Sequence, residues 1–110
     1  NMPMGVSKSF HFNDQQNQLA AFAKAFAHPA RVAIVQQIIQ NKTCIVGTLS
    51  EVLPLSQSTI SQHLKELKNI GIIKGEIEGP SICYCIDQTN WNIAKTLLNQ
   101  FFSEIDQNCC

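Results

Sequence analysis

Residues 56–71, SQSTISQHLKELKNIG, and residues 72–87 after them, IIKGEIEGPSICYCID, decide how this chain folds. Ser56 is a strong helix N-cap, because its hydroxyl can accept a backbone N–H of the first turn. Ile60, Leu64 and Leu67 recur at spacings of four and three, which lays one apolar stripe along a helix running to Ile70. Gly71 stands where a left-handed residue ends a helix. Beyond it Ile72–Ile77 and Ile82–Asp87 read as strands joined by Glu78-Gly79-Pro80-Ser81, so the helix leads straight into a hairpin.

Upstream, Pro54 stops a brief helix over Leu49–Leu53, for which Thr48 and Glu51 are spaced as a capping box. Thr43 to Val46 is β-branched and reads as extended. A helix is expected over Pro29–Gln40, since proline suits the first helical position and Ile34, Val35, Ile38 and Ile39 give an apolar face. Before it, Leu19, Phe22, Ala23 and Phe26 predict an amphipathic helix over Asp14–Ala27. Downstream, Ala94, Leu97, Leu98, Phe101, Phe102 and Ile105 predict a last helix over Thr89–Ile105. The expected class is mainly α with a small β-hairpin, a winged helix-turn-helix in the order α-α-α-α-β-β-α. Residues 1–13 are expected as an arm, 14–106 as the folded domain and 107–110 as a tail.

With 110 residues the chain makes one domain, and 45% hydrophobic with 15% charged residues places it among ordinary globular chains. No apolar run approaches the roughly 18 residues that span a bilayer, and no signal peptide opens the chain, which points to the cytoplasm and away from the membrane. Asn1 ahead of Met2 reads as a cloning remnant, with the natural start at Met2 or Met4. The formal net charge is zero, but it is unevenly spread. Lys24, Arg31, Lys42, Lys65, Lys68 and Lys74 face only Glu51 and Glu66 in the middle of the chain, whereas Asp14, Glu76, Glu78, Asp87, Glu104 and Asp106 outnumber Lys8 and Lys95 elsewhere. A basic block is compatible with a phosphate-facing surface, although differences of this size also arise by chance.

With Ile60 and Leu64 turned inward, the helix from Ser56 presents Ser56, Gln57, Ser58, Thr59, Ser61, Gln62, His63 and Lys65. Hydroxyls and amines bond phosphates, and glutamine can address a base edge, adenine best. A solvated surface face has the same composition. The hairpin that follows tips the balance, because a helix pair plus a hairpin is the winged-helix arrangement that lays one helix in a major groove.

SQSTISQHLKELKNIGII, then GEIEGPSICYCID, resembles the ArsR/SmtB family of metal- and stress-responsive repressors, and AFAHPARVAIVQQI is similar to that family's junction into its second helix. The resemblance implies a sequence-specific repressor that binds double-stranded DNA as a homodimer. It implies that Ser56 to Thr59, with Ser61, Gln62, His63 and Lys65, read the DNA, and that Arg31 and Lys68 contact phosphates. His63 reads equally as a structural hydrogen bonder. Glu76 and Glu78 depart from the pattern, since carboxylates flanking a wing tip repel phosphate.

The last helix is apolar on more than one side, so Leu98, Phe101 and Phe102, with Leu19 and Phe22 of the first helix, are expected to meet a second copy. Five cysteines make a secreted disulfide framework improbable and leave free thiols, a metal or metalloid site, or redox sensing open. The family's Cys-x-Cys site is incomplete, because Val46 follows Cys44 at the second position. Cys83 and Cys85 share a strand face, and Cys109 with Cys110 could add thiolates for a soft metal or arsenite; each of these cysteines, Cys44 foremost, also reads as a residue without chemistry. No cofactor is otherwise implied. A family member without an effector and a module for protein contacts stay open, while a thiol enzyme is disfavoured for lack of a Cys-x-x-Cys at a helix start.

Overall fold

The computed structural model describes residues 11–47 and 49–105, which form α1 (Asp14–Ala25), α2 (Pro29–Gln40), a 3₁₀ turn (Leu49–Glu51), α3 (Gln57–Ile70), β1 (Ile73–Glu76), β2 (Cys83–Ile86) and α4 (Gln88–Phe102). The order is that of a winged helix-turn-helix. Thr48, Cys109, Cys110 and most of the expected arm lie outside the described residues.

Each helix begins on a side-chain cap. Asn13 Oδ1 accepts the Gln16 N–H at 2.7 Å while Gln16 Oε1 accepts the Asn13 N–H at 3.0 Å, a reciprocal box that opens α1. His28 Nδ1 accepts the Ala30 N–H at 3.1 Å, and Pro29 opens α2. Asp87 Oδ1 accepts the Asn90 N–H at 3.1 Å to open α4.

Two helices end earlier than their apolar pattern predicts, for local reasons. The Phe26 and Ala27 N–H groups bond back three residues, to the Ala23 and Lys24 carbonyls, so α1 tightens and stops at Ala25. Ser103 Oγ donates to the Asn99 carbonyl at 2.8 Å and Glu104 N–H reaches only Phe101 O, which ends α4 before Ile105. The brief helix expected over Leu49–Leu53 is one 3₁₀ turn.

One core joins all elements: Phe22 and Ala25 of α1, Ile34, Val35 and Ile38 of α2, Ile60, Leu64 and Leu67 of α3, Ile72, Ile73 and Tyr84 of the hairpin, and Ala94 and Leu97 of α4. Phe26 caps it from one side, edge-on to Trp91 with ring centroids 5.7 Å apart. Phe22 is only 5% exposed, so its placement in a partner interface is corrected: this ring belongs to the chain's own core. Phe101, Phe102 and Ile105 are exposed and Leu98 and Leu19 half-buried.

The strands pair antiparallel, with Ile73 opposite Ile86 and Gly75 opposite Tyr84. On its other side Tyr84 exchanges both backbone hydrogen bonds with Ile45, at 2.7 and 3.2 Å, so the extended segment before the 3₁₀ turn lies along β2. Cys83 is exposed and Tyr84 buried, with Cys85 half-buried on the Cys83 side of the strand.

Beside this bridge Cys44 and Cys83 are joined in a disulfide, their Cα atoms 5.4 Å apart. This corrects the reading of both as free thiols for a metal. The adjacency arises from the tertiary pairing of Ile45 with Tyr84, which no local pattern encodes. The bond links residues 39 apart in sequence, and in chain-entropy terms a loop of this length is worth about 4 kcal/mol. Cys85 keeps a free thiol.

Candidate nucleic-acid interface

The helix-turn-helix is the 3₁₀ turn, the loop through Pro54 and α3. Ser56 Oγ accepts the Thr59 N–H at 3.3 Å and donates to Thr59 Oγ1 at 2.9 Å, while Ser58 Oγ lies 3.2 Å away. These hydroxyls cluster at the positive end of the α3 dipole, where backbone N–H groups favour an anion such as phosphate. Ile60, Leu64 and Leu67 face the core. The opposite face carries Gln57, Ser58, Gln62 and Lys65, all exposed, with Thr59 and Ser61 half-buried at its margins. Lys68, also exposed, closes the last turn.

Gly71 ends α3 at φ 97° and its carbonyl accepts Asn90 Nδ2 at 2.9 Å. The end of α3 is thereby pinned to α4. Asn90 is a positioning residue that the sequence did not flag, since an asparagine early in a helix carries no pattern of its own.

The remaining basic residues divide. Arg31 Nε donates to the Ala25 carbonyl at 3.1 Å and Nη2 to the Lys24 carbonyl at 2.7 Å, closing the end of α1. Its Nη1 lies 3.5 Å from His63 Nδ1. The structure thus turns Arg31 toward the α1–α2 corner. His63 lies against the same corner, with its ring centroid 4.8 Å from that of His28. Lys24 Nζ meets Glu66 at 3.3 Å and Lys65 Nζ reaches Glu78 of the wing at 3.9 Å, both at the surface. Exposed pairs contribute about 0–1 kcal/mol each, so the second leaves Lys65 free to exchange its carboxylate for a phosphate.

Partial burial, then the nearby His28 and Arg31, hold the His63 pKa below the ordinary 6.5. The ring is neutral at pH 7, which suits a bond from the Arg31 guanidinium. Because the folded chain holds this proton less tightly than the unfolded one, its stabilisation is present above 6.5 and lost as pH falls through the folded value. We expect His63→Gln to flatten the decline of melting temperature between about pH 7 and pH 5. An equally steep decline in the variant would assign the acid sensitivity elsewhere.

Among the described residues, no group of three or more His, Cys, Asp or Glu side chains is arranged to hold a metal. No helix among them is long and apolar enough to cross a membrane.

Comparison with known proteins agrees with this geometry. Residues 28–74 match the family described as "Bacterial regulatory protein, arsR family". The chain is 41% identical over 61 residues to the HTH-type transcriptional repressor SmtB of Mycobacterium tuberculosis, a match over 56% of this chain and 44% of that protein. It therefore spans less than half the length of this relative. The transcriptional repressor PagR of Bacillus anthracis is 34% identical over 80 residues, covering 73% of this chain and 80% of PagR. The crystal structure of M. tuberculosis Rv0081 superposes with a TM-score of 0.52 at 24% identity, over 84% of this chain and 97% of that one, a likeness of fold. With one face of α3 open beside its wing and a relative matched over most of its length, the chain belongs to the arsR family of bacterial regulatory proteins.

Proposed function

We propose that the chain is a homodimeric, cytoplasmic repressor that binds operator DNA through α3 and is released by a thiol-directed effector. The observation that carries the reading is the exposed face of Gln57, Ser58, Gln62 and Lys65, polar throughout and opposite a fully buried stripe. Such a face has the hydroxyls, amides and amine that meet phosphates and base edges. SmtB and PagR are both named as repressors, which supports the sign of regulation. In this reading residues 14–106 form the DNA-binding and dimerising unit, with 1–13 as an arm and 107–110 as a tail.

A second copy would dock on the end of α4. Phe101 is 51% and Phe102 65% exposed, adjacent to half-buried Leu98 and Leu19. Two solvent-facing rings on one helix end are costly to leave in water, and a twofold pairing there would present two α3 helices to half-sites about 34–36 Å apart. The test joins sedimentation to fluorescence anisotropy on the DNA upstream of the chain's own gene. Wild type should sediment as a dimer and bind with an affinity that falls steeply with salt. Phe101→Glu with Phe102→Glu should give folded monomers that bind at least about tenfold more weakly. A persisting dimer would remove α4 from the interface, and wild-type protein without preference for that DNA would refute the operator reading.

A further inference from the structure

The Cys44–Cys83 bond has a particular relation to the DNA-reading unit. Cys44 precedes the 3₁₀ turn and Cys83 follows the wing tip, so the covalent ring between them contains the 3₁₀ turn, all of α3, β1 and the tip of the hairpin. Both ends of the reading unit are therefore fastened to each other. Without the bond they are held by the two backbone hydrogen bonds between Ile45 and Tyr84 and by side-chain packing. Cys83 is exposed and Cys44 half-buried, so reagents in solution reach the bond from the Cys83 side.

We propose that Cys44 and Cys83 form a reversible oxidation site whose disulfide state is the tight DNA-binding state and whose dithiol state is the weak one. The proposal rests on the DNA-binding reading above and specifies the thiol chemistry left open there. In the forming direction the Cys83 thiolate attacks the O–O bond of a hydroperoxide. This releases an alcohol and leaves a sulfenic acid on Cys83. The Cys44 thiol then displaces water from that sulfur. Two thiols and one hydroperoxide thus give one disulfide, one alcohol and one water. In the opening direction a dithiol reductant attacks the exposed Cys83 sulfur, and a second exchange returns both cysteines as thiols while the reductant leaves as its own disulfide. The ring restricts the reading unit to conformers close to the one in which α3 and the wing stand together; opening it lowers the population of that conformer, and apparent affinity falls in the same proportion.

The experiment uses the full chain with Cys85→Ser, Cys109→Ser and Cys110→Ser, which leaves two of the five cysteines. Protein treated with tert-butyl hydroperoxide and protein treated with dithiothreitol are scored for free thiols by maleimide labelling, checked by circular dichroism, and titrated against the same DNA by anisotropy. The expected result is both thiols lost on oxidation, unchanged helix content, and affinity about tenfold tighter in the oxidised form, reversed by reductant. Adding Cys44→Ala and Cys83→Ala should abolish the response. Equal affinity in both states, tighter binding on reduction, thiols that survive the peroxide, a response that persists in the alanine variant, or helices lost on reduction would each overturn the switch. If neither state binds any DNA, the repressor reading fails with it, an outcome distinct from binding that ignores redox state.

Discussion

Alanine at both Gln57 and Ser58 is expected to weaken binding to the specific DNA by about 10–100-fold while the melting temperature barely moves. Both residues are exposed on the first turn of α3. Each good side-chain contact to a base edge is worth about 1–3 kcal/mol of discrimination, and losing two exceeds anything expected from a surface change elsewhere. Stability should be spared because the cap is kept: Ser56 still accepts the Thr59 N–H and still donates to the Thr59 hydroxyl. Alanine is also a better helix former than either residue it replaces. Anisotropy titration with specific and unrelated duplexes, paired with thermal melts, checks this. The loss should appear on the specific duplex and be small on the unrelated one, where phosphate contacts dominate. Unchanged specific affinity would move the reading face away from the start of α3.

The largest effect on stability is expected from Gly75→Ala. Gly75 has φ of 108°, a region that residues with a side chain rarely adopt. A Cβ placed there would overlap the Cys83 carbonyl oxygen and lie 3.0 Å from Tyr84 Cα. These are backbone atoms of the paired strand, so no rotamer change relieves the overlap. The strand must shift against β2, and Tyr84, which is 1% exposed, sits directly opposite. Strain and lost packing together should cost about 2–4 kcal/mol, or roughly 10–25 °C in melting temperature for a domain of this size. A thermal melt within about 3 °C of wild type would show the hairpin to be more pliant than its pairing implies. Binding should weaken too, because β1 leaves the end of α3 directly.

What could be read from sequence was local. The bounds of α2 at Pro29 and Gln40, and of α3 between its Ser56 cap and Gly71, follow from residues whose preferences act within one turn. The stripe of Ile60, Leu64 and Leu67 fixed the direction of α3, and with it the outward polar face. What escaped was set by partners distant in the chain. Arg31 has the chemistry of a phosphate ligand, but the carbonyls left open at the end of α1 take two of its nitrogens. Phe22 fits an interface stripe equally well as a core position, and only the packing of α1 on α4 and α3 decides between them. Cys44 and Cys83 could be paired only once Ile45 was known to lie beside Tyr84. The early stop of α4 turned on one hydroxyl, Ser103, returning to a carbonyl four residues back.

The two borders of the hairpin are finished differently. Along β2 the outer row of amides and carbonyls is met at Tyr84 by Ile45, so that side is partly closed to strangers. Along β1 no further strand pairs among the described residues, and that border is only four residues long and runs through Lys74, Gly75 and Glu76. A short, charged, glycine-interrupted margin is a poor template for an incoming strand and resists ribbon-like stacking of chains. Runaway self-assembly through the sheet is thereby discouraged at its origin, and the hairpin can protrude into solvent without becoming a seed for fibres.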